Sequence, residues 1–446
     1  MSKIVILGGV AAGMSAASKA IRMDKNHKIT VYTDERYVSY SACCLPYFVK
    51  GIYEKDVILR TPEAFQKMGV DVRLDCRATA MDPASKTVTI TTKEGSSFTD
   101  TYDKLIIATG ARAIKPSLPG VGLPGIYQVK KIPDVNAIRP ILRAHEVKKA
   151  VVVGGGFIGL EMTEALSSYG VEVTLLEFAP QLVTPLDPDM AVMIEAHLVE
   201  KGISVHTNEG VTAFEGEDRV QRVVTPKGTY PADMVILAIG VAPNSEFAAQ
   251  ACVRTGAKNA ILVNEYMETS LPDVYAAGDC ATARHLVSGQ DVYVPLGTTA
   301  NKQGKVAGEN AAGGRAAFPG IVGTTVFKVM DMEAGRTGLS TAEAAALGRP
   351  VWEVKATTET KATYYPGWGK CTMKLIMDKE TDIIVGAQIV GNETAAKRID
   401  LLVPCVQLGL TPADLVKFDI SYAPPFCHPM DVAQLAANVA LSQIQN

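Results

Sequence analysis

The stretch AVVVGGGFIGLE, residues 150–161, decides the fold of this chain. An apolar strand runs into Gly154, Gly156 and Gly159, which are spaced as GxGxxG, and an apolar helix follows. This order is typical of a dinucleotide-binding unit, because the glycines let the backbone approach a pyrophosphate at the helix N-terminus. The next predicted strand ends at Glu177, where an acid binds an adenosine ribose. No basic residue directly follows Glu177, so the sequence favours NADH over NADPH.

A second, weaker copy of the pattern lies about 146 residues earlier, in KIVILGGVAAGMSAA, residues 3–17. Gly8 permits the tight turn, and Gly13 permits close packing of the helix on the strand. Thr33 stands where the ribose-binding acid is expected, so that role passes to Asp34 or to no residue.

Two further segments tie this first unit to FAD. Residues 102–110 predict a strand that ends in the small-residue turn Thr109-Gly110. Residues 269–279 predict a strand that closes on a glycine followed by Asp279. A carboxylate directly after a glycine reaches a ribityl hydroxyl with no side chain in the way, although a turn aspartate is the competing interpretation.

The composition excludes several classes of protein. A length of 446 residues suggests two to four domains, and 47% apolar with 20% charged residues indicates a globular chain. The net charge of −3 gives no basic footprint for nucleic acid. No uninterrupted apolar stretch reaches the roughly 18 residues of a membrane span. The apolar run at residues 4–17 fits a strand, turn and helix better than a signal peptide.

Eight cysteines are scattered along the chain without a CxxC or a Cys/His metal spacing. This usage favours a reducing cytosol, hence a cytoplasmic protein, and predicts no metal site. Cys43 and Cys44 are adjacent in SYSACCLPY, residues 39–47, just after the first dinucleotide-binding unit. An enzyme would place a thiol there against a flavin ring. A CxxxxC pair is absent because Phe48 stands five residues after Cys43, so Cys43 is predicted to act as a single redox cysteine.

Taken together, these residues resemble the FAD- and NAD(P)H-dependent pyridine nucleotide-disulfide oxidoreductases. Within that family they are most similar to the coenzyme A-disulfide reductases, a group that includes NADH-dependent persulfide and polysulfide reductases. The resemblance covers essentially the full chain. Its marks are Ser39-x-x-x-Cys43-x-Leu45-Pro46-Tyr47, Tyr364-Tyr365-Pro366-Gly367, Ala396-Lys397-Arg398-Ile399-Asp400 and Tyr422-Ala423-Pro424-Pro425.

The resemblance implies an α/β fold with two Rossmann-like dinucleotide-binding domains and an α+β C-terminal dimerisation domain. The FAD-binding domain is expected at residues 1–112 and 241–320, the NAD-binding domain at 113–240 and the dimerisation domain at 321–446. A homodimer would place the C-terminal domain of one subunit over the flavin of the other. Within the C-terminal domain the sequence predicts strands at 322–331, 372–377 and 383–390 and helices near 393–410.

The resemblance also implies a chemical cycle. NADH gives hydride to FAD on the side of Phe157, an aromatic gate, while Glu161 contacts the nicotinamide. Electrons then pass to Cys43, whose thiolate attacks an external disulfide or sulfane sulfur. The hydroxyls of Tyr364 and Tyr422 in the partner subunit assist the leaving thiolate. The competing interpretations are core packing for Phe157, a helix-surface acid for Glu161 and interface packing for the tyrosines.

The sequence gives fewer indications of the residues that bind the substrate. Ser39 belongs to the redox-cysteine motif, and Lys19, Arg22 and Arg60 are candidates for binding the phosphates of coenzyme A; the competing interpretation is a solvated basic surface. Ala42 stands where reductases of coenzyme A disulfide often carry asparagine, which puts that substrate in question.

Three side-chain assignments stay open at this stage. Cys44 is expected to pack as a small residue, with a strained vicinal disulfide to Cys43 as the alternative. Cys427 is either a buried serine-like residue or a resolving thiol for Cys43. Tyr365 competes with Tyr364 for the role of proton donor.

Three other functions are compatible with parts of the sequence. An NADH oxidase or peroxidase would use a Cys43 sulfenic acid, but Ala11 stands where such relatives carry histidine. A non-catalytic redox sensor would leave the NAD site and the tyrosine pair without a role. A flavin reductase for ferredoxins would not need Cys43.

Overall fold

The first unit of the chain is built on a parallel sheet. The computed structural model describes residues 1–53 and 57–444. Up to residue 113, its strands are β1 Lys3–Leu7, β2 Lys28–Tyr32, β3 Val70–Arg73, β4 Cys76–Asp82, β5 Thr87–Thr92, β6 Ser97–Thr101, β7 Lys104–Ile107 and β8 Ala111–Ala113. Its helices are α1 Ala11–Met23, α2 Leu45–Lys50 and α3 Pro62–Gln66, with a 3₁₀ turn at Ala42–Cys44 just before α2.

The second unit also contains two parallel strands joined by a helix that follows a glycine turn. Its strands are β9 Ile126–Gln128, β10 Lys149–Val153, β11 Glu172–Leu176, β12 Ser204–His206, β13 Ala213–Glu215, β14 Arg222–Val224, β15 Thr229–Pro231 and β16 Met234–Leu237. Its helices are α4 Ile132–Arg143, α5 Phe157–Ser167 and α6 Pro188–Glu200.

The chain then returns to the first unit. This segment contains β17 Val241–Pro243, β18 Val274–Ala276, β19 Ala283–Arg284, β20 Asp291–Val292, α7 Glu246–Gln250 and α8 Gly297–Ala311, with a 3₁₀ turn at Ala257–Asn259. Strand β17 pairs antiparallel with β8, and β18 joins the first sheet in parallel beside β7. The first unit is therefore built from two separate stretches of sequence.

The two parallel sheets have equivalent strand orders, β18-β7-β1-β2-β3 in the first unit and β12-β11-β10-β16-β9 in the second. Each central strand, β1 or β10, is flanked by the strand that follows its crossover helix and by a later strand, β7 or β16. The predicted pair of Rossmann-like units is confirmed.

Glycines allow each helix to lie close to its strand. Gly8 has a φ of +116°, and a β-carbon there would lie 2.0 Å from the carbonyl oxygen of Ala108. A β-carbon on Gly13 would lie 1.9 Å from the carbonyl oxygen of Gly8, and one on Gly159 would lie 1.9 Å from that of Gly154. A real side chain cannot approach a backbone oxygen so closely, so these positions require glycine.

The C-terminal unit is an antiparallel sheet covered by helices. Its elements are β21 Thr325–Val329, β22 Met332–Gly338, β23 Val351–Glu359, β24 Lys370–Asp378 and β25 Ile384–Gly391, with α9 Thr341–Ala346, α10 Ile399–Leu408, α11 Pro412–Leu415, α12 Val432–Ile444 and a 3₁₀ turn at Ala396–Arg398. The strand order is β21-β22-β25-β24-β23. Helices α10 and α12 pack on this sheet around a shared apolar core.

The sequence prediction found three of these five strands. Strand β22 was missed because its sequence, MEAGRTG, has two glycines and few β-branched residues. Strand β23 was missed because its apolar residues alternate with exposed charged ones on an edge strand. Tertiary pairing overrides weak local propensity in both cases.

A buried ionic cluster joins the second unit to the C-terminal unit. The Lys374 side chain is only 2% exposed, and its ammonium lies 2.9 Å from Asp187, 3.0 Å from Asp189 and 2.6 Å from Glu353. Asp187 also accepts hydrogen bonds from the backbone N–H and the hydroxyl of Thr341. Within the described residues, no helix is long and apolar enough to cross a membrane.

Candidate active site

The described structure contains a large cleft of about 2180 Å³. It is lined by residues of all three units, including the start of α1, the start of α5, the start of α8 and part of β21. A cleft of this size accommodates ligands much larger than a typical small molecule.

Three helices present unsatisfied N-termini to this cleft. The residues before α1, α5 and α8 are Val10, Gly156 and Leu296, and none of them caps its helix with a side-chain hydrogen bond. None of the three helices has an acidic residue in its first turn. Free N–H groups at a helix N-terminus bind anions, above all phosphate groups. The cleft therefore fits two dinucleotides, one with its pyrophosphate at α1 and one at α5.

The predicted cofactor residues divide into two groups in the structure. One group lines the cleft: Gly8, Asp34, Thr109, Gly110 and Asp279 around the first unit, and Gly156, Phe157 and Glu161 around the second. The other group lies behind the turns, where Gly13, Gly154 and Gly159 allow the helices to pack on the strands. Glu177 stands at the end of β11, next to the second glycine turn.

Asp279 is half-buried at the end of β18. Its carboxylate lies 3.3 Å from the ammonium of Lys130, which comes from the connection between β9 and α4 in the second unit. Nearby, the Thr109 hydroxyl donates a 2.6 Å hydrogen bond to the carbonyl of Asn244, which holds the turn after β7 in place. The residues that would hold FAD are thus linked to both units.

The acid expected after β2 has an unexpected neighbour. Asp34 is exposed and lies 3.3 Å from the Lys131 ammonium. Glu35 also lines the cleft; it is half-buried and accepts a 2.9 Å hydrogen bond from the Tyr40 hydroxyl. Burial raises the pKa of Glu35, and the charge of Lys131 opposes this shift. Sequence analysis missed Glu35 and Lys131 as cleft residues.

Glu177 is fixed by the backbone of its own unit. One carboxylate oxygen accepts a 2.6 Å hydrogen bond from the Gly155 N–H, and the other accepts a 2.7 Å bond from the Ala179 N–H. The carboxylate is therefore held against the glycine turn.

Cys43 lies in the cleft with an exposed side chain, within the 3₁₀ turn that precedes α2. Its sulfur is 3.7 Å from the position that a β-carbon on Gly297 would take, so it lies beside the N-terminus of α8. The dipole of that helix favours the thiolate. The Cys44 thiol points elsewhere and donates a 3.0 Å hydrogen bond to the Ser41 hydroxyl.

Other groups in the cleft favour the protonated thiol. The walls around Cys43 raise its pKa by desolvation, and the negative charges of Glu161 and Asp279 raise it further. Lys130 acts in the opposite direction. The ionisation of Cys43 is therefore set by a balance between the α8 N-terminus and the acids around it.

Glu161 links the second unit to the Cys43 segment. One of its carboxylate oxygens accepts a 3.0 Å hydrogen bond from the hydroxyl of Tyr47 on α2. Burial raises the pKa of Glu161 to about 7, against the effect of the Tyr47 hydrogen bond. One turn before it, Phe157 packs on Phe327 of β21 with 5.0 Å between the ring centroids.

The predicted substrate residues are only partly gathered in the cleft. Ser39, Arg22 and Arg60 line it, and the two arginines are exposed. Lys19 does not line it; its ammonium forms a 2.8 Å ion pair with Glu309 on α8. The structure therefore favours the two arginines over Lys19 as anion-binding groups.

Tyr364 and Tyr422 lie outside the cleft of their own subunit, on the surface of the C-terminal unit. Their exposed fractions are 76% and 46%. A hydrogen bond with Tyr364 raises the pKa of Tyr422. Cys427 is buried close by, and its thiol donates a 3.2 Å hydrogen bond to the Ser421 carbonyl.

The family models match both halves of this architecture. Residues 2–304 match the pyridine nucleotide-disulphide oxidoreductase model, and residues 324–433 match the dimerisation domain of the same family. The chain belongs to the pyridine nucleotide-disulphide oxidoreductases. Members of this family are oxidoreductases that use FAD and NAD(P)H, and the matched dimerisation domain indicates a homodimer.

Three relatives show the range of proteins that this oxidoreductase is similar to. The "NAD(P)H coenzyme A polysulfide/persulfide reductase" of Pyrococcus horikoshii is 38% identical over 440 residues, 98% of each chain. The "NADH oxidase" of Methanocaldococcus jannaschii is 36% identical over the full length of both chains. The solved structure of a NAD-dependent persulfide reductase from A. fulgidus is 40% identical, with a TM-score of 0.96 over 99% of this chain and 83% of that one.

Proposed function

We propose that this oxidoreductase is an NADH-dependent flavoprotein that reduces small-molecule disulfides or persulfides linked to coenzyme A. The observation that carries the proposal is the position of Cys43. Its exposed thiol lies beside the N-terminus of α8, in the same cleft as the uncapped helix N-termini of both dinucleotide-binding units. This arrangement suits a nucleophile that receives electrons from cofactors bound on either side.

FAD and NADH supply the two electrons of the reaction when they are bound. The Cys43 thiolate attacks one sulfur of the substrate, the sulfur–sulfur bond breaks, and a thiolate or HS⁻ leaves with the electron pair of that bond. Cys43 is then held in a mixed disulfide or a persulfide. Two electrons and one proton cleave this new bond, which releases the second thiol or HS⁻ and restores the Cys43 thiolate.

The preference for NADH over NADPH rests on Glu177. Because both of its carboxylate oxygens are bound to backbone N–H groups, the side chain cannot readily turn away from a ligand at the strand end. A 2′-phosphate would meet this fixed negative charge, whereas a ribose hydroxyl would donate a hydrogen bond to it.

The class of substrate rests on the basic residues of the cleft. Arg22 and Arg60 are exposed where they line it, and arginines are well suited to phosphate groups such as those of coenzyme A. Ser39 lies in the same lining, two residues before Ser41. Ala42 offers no polar contact at this end of the cleft, and we take the missing contact to favour a persulfide over coenzyme A disulfide.

We further propose that the partner subunit completes the site. In this arrangement residues 1–112 and 241–320 bind FAD, residues 113–240 bind NADH and residues 321–446 form the dimer. The exposed pair Tyr364 and Tyr422 then reaches the cleft of the other subunit, where a hydroxyl protonates the leaving sulfur.

The test compares two cysteine variants under anaerobic conditions. NADH oxidation is measured with coenzyme A disulfide and with coenzyme A persulfide, in Cys43→Ser and in Cys252→Ser. Cys252 is the matched control, since it is also exposed but does not line the cleft. With the sulfur substrate that the wild-type enzyme turns over faster, Cys43→Ser should lower turnover about a thousandfold or more, and Cys252→Ser should leave turnover unchanged. Equal turnover in both variants would contradict the proposal.

The second candidate is an NADH oxidase that reduces O₂ through an oxidised Cys43. The observation in its favour is the oxidase name of the Methanocaldococcus jannaschii relative. The residue at the start of α1 argues against efficient peroxide chemistry, because Ala11 lines the cleft there and offers no acid or base. Faster turnover with O₂ than with either sulfur substrate would support this candidate instead.

A further inference from the structure

Glu161 lies in the cleft that contains Cys43. Among residues 1–53 and 57–444, no lysine, arginine or histidine nitrogen lies within ion-pair distance of its carboxylate. Its hydrogen-bond partner is the neutral hydroxyl of Tyr47, at 3.0 Å. A half-buried acid that is supported only by a neutral donor changes its charge easily.

The other acids near the nucleophile are compensated. The Asp279 carboxylate lies 3.3 Å from the Lys130 ammonium, which lowers the pKa of the Cys43 thiol where Asp279 raises it. Glu164, one turn after Glu161, lies 2.5 Å from the Lys50 ammonium. Within the described part of the chain, Glu161 is therefore the acid near Cys43 that has no cation at ion-pair distance.

The backbone connects the two groups closely. Helix α2 begins directly after Cys44, and it packs along α5, which carries Glu161. Tyr47 and Lys50, one turn apart on α2, bind Glu161 and Glu164, one turn apart on α5. Strand β21 also packs on α5 but leaves its only charged side chain, Lys328, exposed.

We propose that the charge of Glu161 sets the ionisation of Cys43, so that Glu161 is a positioning residue for the nucleophile. A neutral Glu161 leaves the attacking Cys43 thiolate unopposed, and an ionised Glu161 disfavours it. The Tyr47 hydroxyl donates a hydrogen bond that favours the ionised form of Glu161. The role in turnover rests on the proposed function; the coupling between the two groups does not.

The electrostatics of the site support this coupling. Burial raises the pKa of Glu161 to about 7, and the Glu161 charge is the largest of the charges that raise the pKa of Cys43. Below that pH Glu161 is neutral and does not oppose the thiolate. As the pH rises through the pKa of Glu161, its new negative charge makes Cys43 harder to ionise. Two coupled groups of this kind titrate in two broad steps rather than one.

The test measures the reactivity of Cys43 rather than turnover. The FAD-loaded enzyme is reduced with dithiothreitol, freed from it without oxygen, and alkylated with iodoacetamide between about pH 5.5 and 10, a range that spans the ordinary pKa of a thiol. The Cys43 peptide is quantified by mass spectrometry, which separates it from the other thiols. The variants are Glu161→Gln and Tyr47→Phe. Glu172→Gln is the matched control, since Glu172 is an exposed acid on β11 that pairs with Lys149 and does not line the cleft.

The proposal predicts a different profile for each variant. The wild-type rate of alkylation should rise in two steps. Glu161→Gln should give a single step and alkylation about threefold faster or more at pH 8, which corresponds to a pKa lowered by half a unit. Tyr47→Phe should move the first step to higher pH, because the hydrogen bond that favours the carboxylate is lost. The Glu172→Gln profile should match the wild type.

Two results would overturn the proposal. One is a Glu161→Gln profile that superimposes on the wild type, and the other is an equal shift in Glu172→Gln, which would indicate a general effect of net charge. If Glu161→Gln does not fold, a Tyr47→Phe profile that superimposes on the wild type would overturn the proposal instead. If the coupling is present but the enzyme reduces no sulfur compound, the proposed function is refuted and this inference stands.

Discussion

Substitutions at Gly156 and Gly159, which lie between β10 and the first turn of α5, should separate effects on cofactor binding from effects on folding. A β-carbon on Gly159 would lie 1.9 Å from the carbonyl oxygen of Gly154, whereas a β-carbon on Gly156 has no atom within 4 Å. Gly156 lines the cleft and has φ −81° and ψ −175°, which alanine adopts without strain. Gly159→Ala and Gly156→Ala therefore add the same methyl group to opposite sides of one turn.

Gly159→Ala should destabilise the fold. Both groups in the clash belong to the backbone, so the overlap is relieved only if α5 moves away from β10 by about an ångström. That movement disturbs a buried helix face that includes Leu160 and Leu166, each 0% exposed. Overpacking of this kind costs about 3 kcal/mol, and the melting temperature should fall by about 6 °C or more.

Gly156→Ala should weaken NADH binding with little effect on stability. Replacing glycine at the residue before a helix by alanine costs at most about 1 kcal/mol. In the cleft, however, the methyl group would stand in front of the free N–H groups of α5, so the NADH dissociation constant should rise at least tenfold, or about 1.4 kcal/mol. Thermal unfolding and calorimetric NADH titration measure the two effects. An unchanged melting temperature for Gly159→Ala, or unchanged NADH affinity for Gly156→Ala, would refute this account of the turn.

Four further variants test other parts of the structure. Glu177→Ala should raise the ratio of kcat/KM for NADPH over NADH at least about tenfold by removing a fixed negative charge, and steady-state kinetics with both cofactors would show an unchanged ratio if Glu177 has no such role. Lys374→Met should lower the free energy of unfolding by about 3–5 kcal/mol because it leaves Asp187 buried without its cation, and a denaturant titration that shows no loss would contradict this. Tyr364→Phe and Tyr422→Phe should each slow reduction of the sulfur substrate by at least about tenfold, without slowing the reduction of FAD by NADH in stopped-flow measurements; equal effects on both steps would indicate a packing role.

The glycine turns could be predicted because their requirements are local. Gly8, Gly13 and Gly159 each face a backbone oxygen within the same strand–turn–helix unit or its neighbouring strand. The spacing of such glycines therefore appears directly in the sequence. The same is true of Glu177, which binds backbone N–H groups of the adjacent turn.

The contacts between units could not be predicted in this way. Tyr47 and Glu161 are 114 residues apart, and no local pattern marks the tyrosine as a partner of the acid. Lys130 and Lys131 stand in a connection of the second unit yet form ion pairs with acids of the first. Such pairs depend on how the units pack, so the electrostatics around Cys43 required the three-dimensional structure.

The central claim is that Cys43 is a redox centre which exchanges electrons with the flavin. The most direct measurement is an anaerobic NADH titration of the FAD-loaded enzyme after treatment with coenzyme A disulfide and removal of the excess, with mass spectrometry of any released thiol. The wild type should take up one NADH more per subunit than Cys43→Ser and should release coenzyme A, because a mixed disulfide accepts two electrons. Equal NADH uptake by both proteins, with no thiol released, would contradict the account.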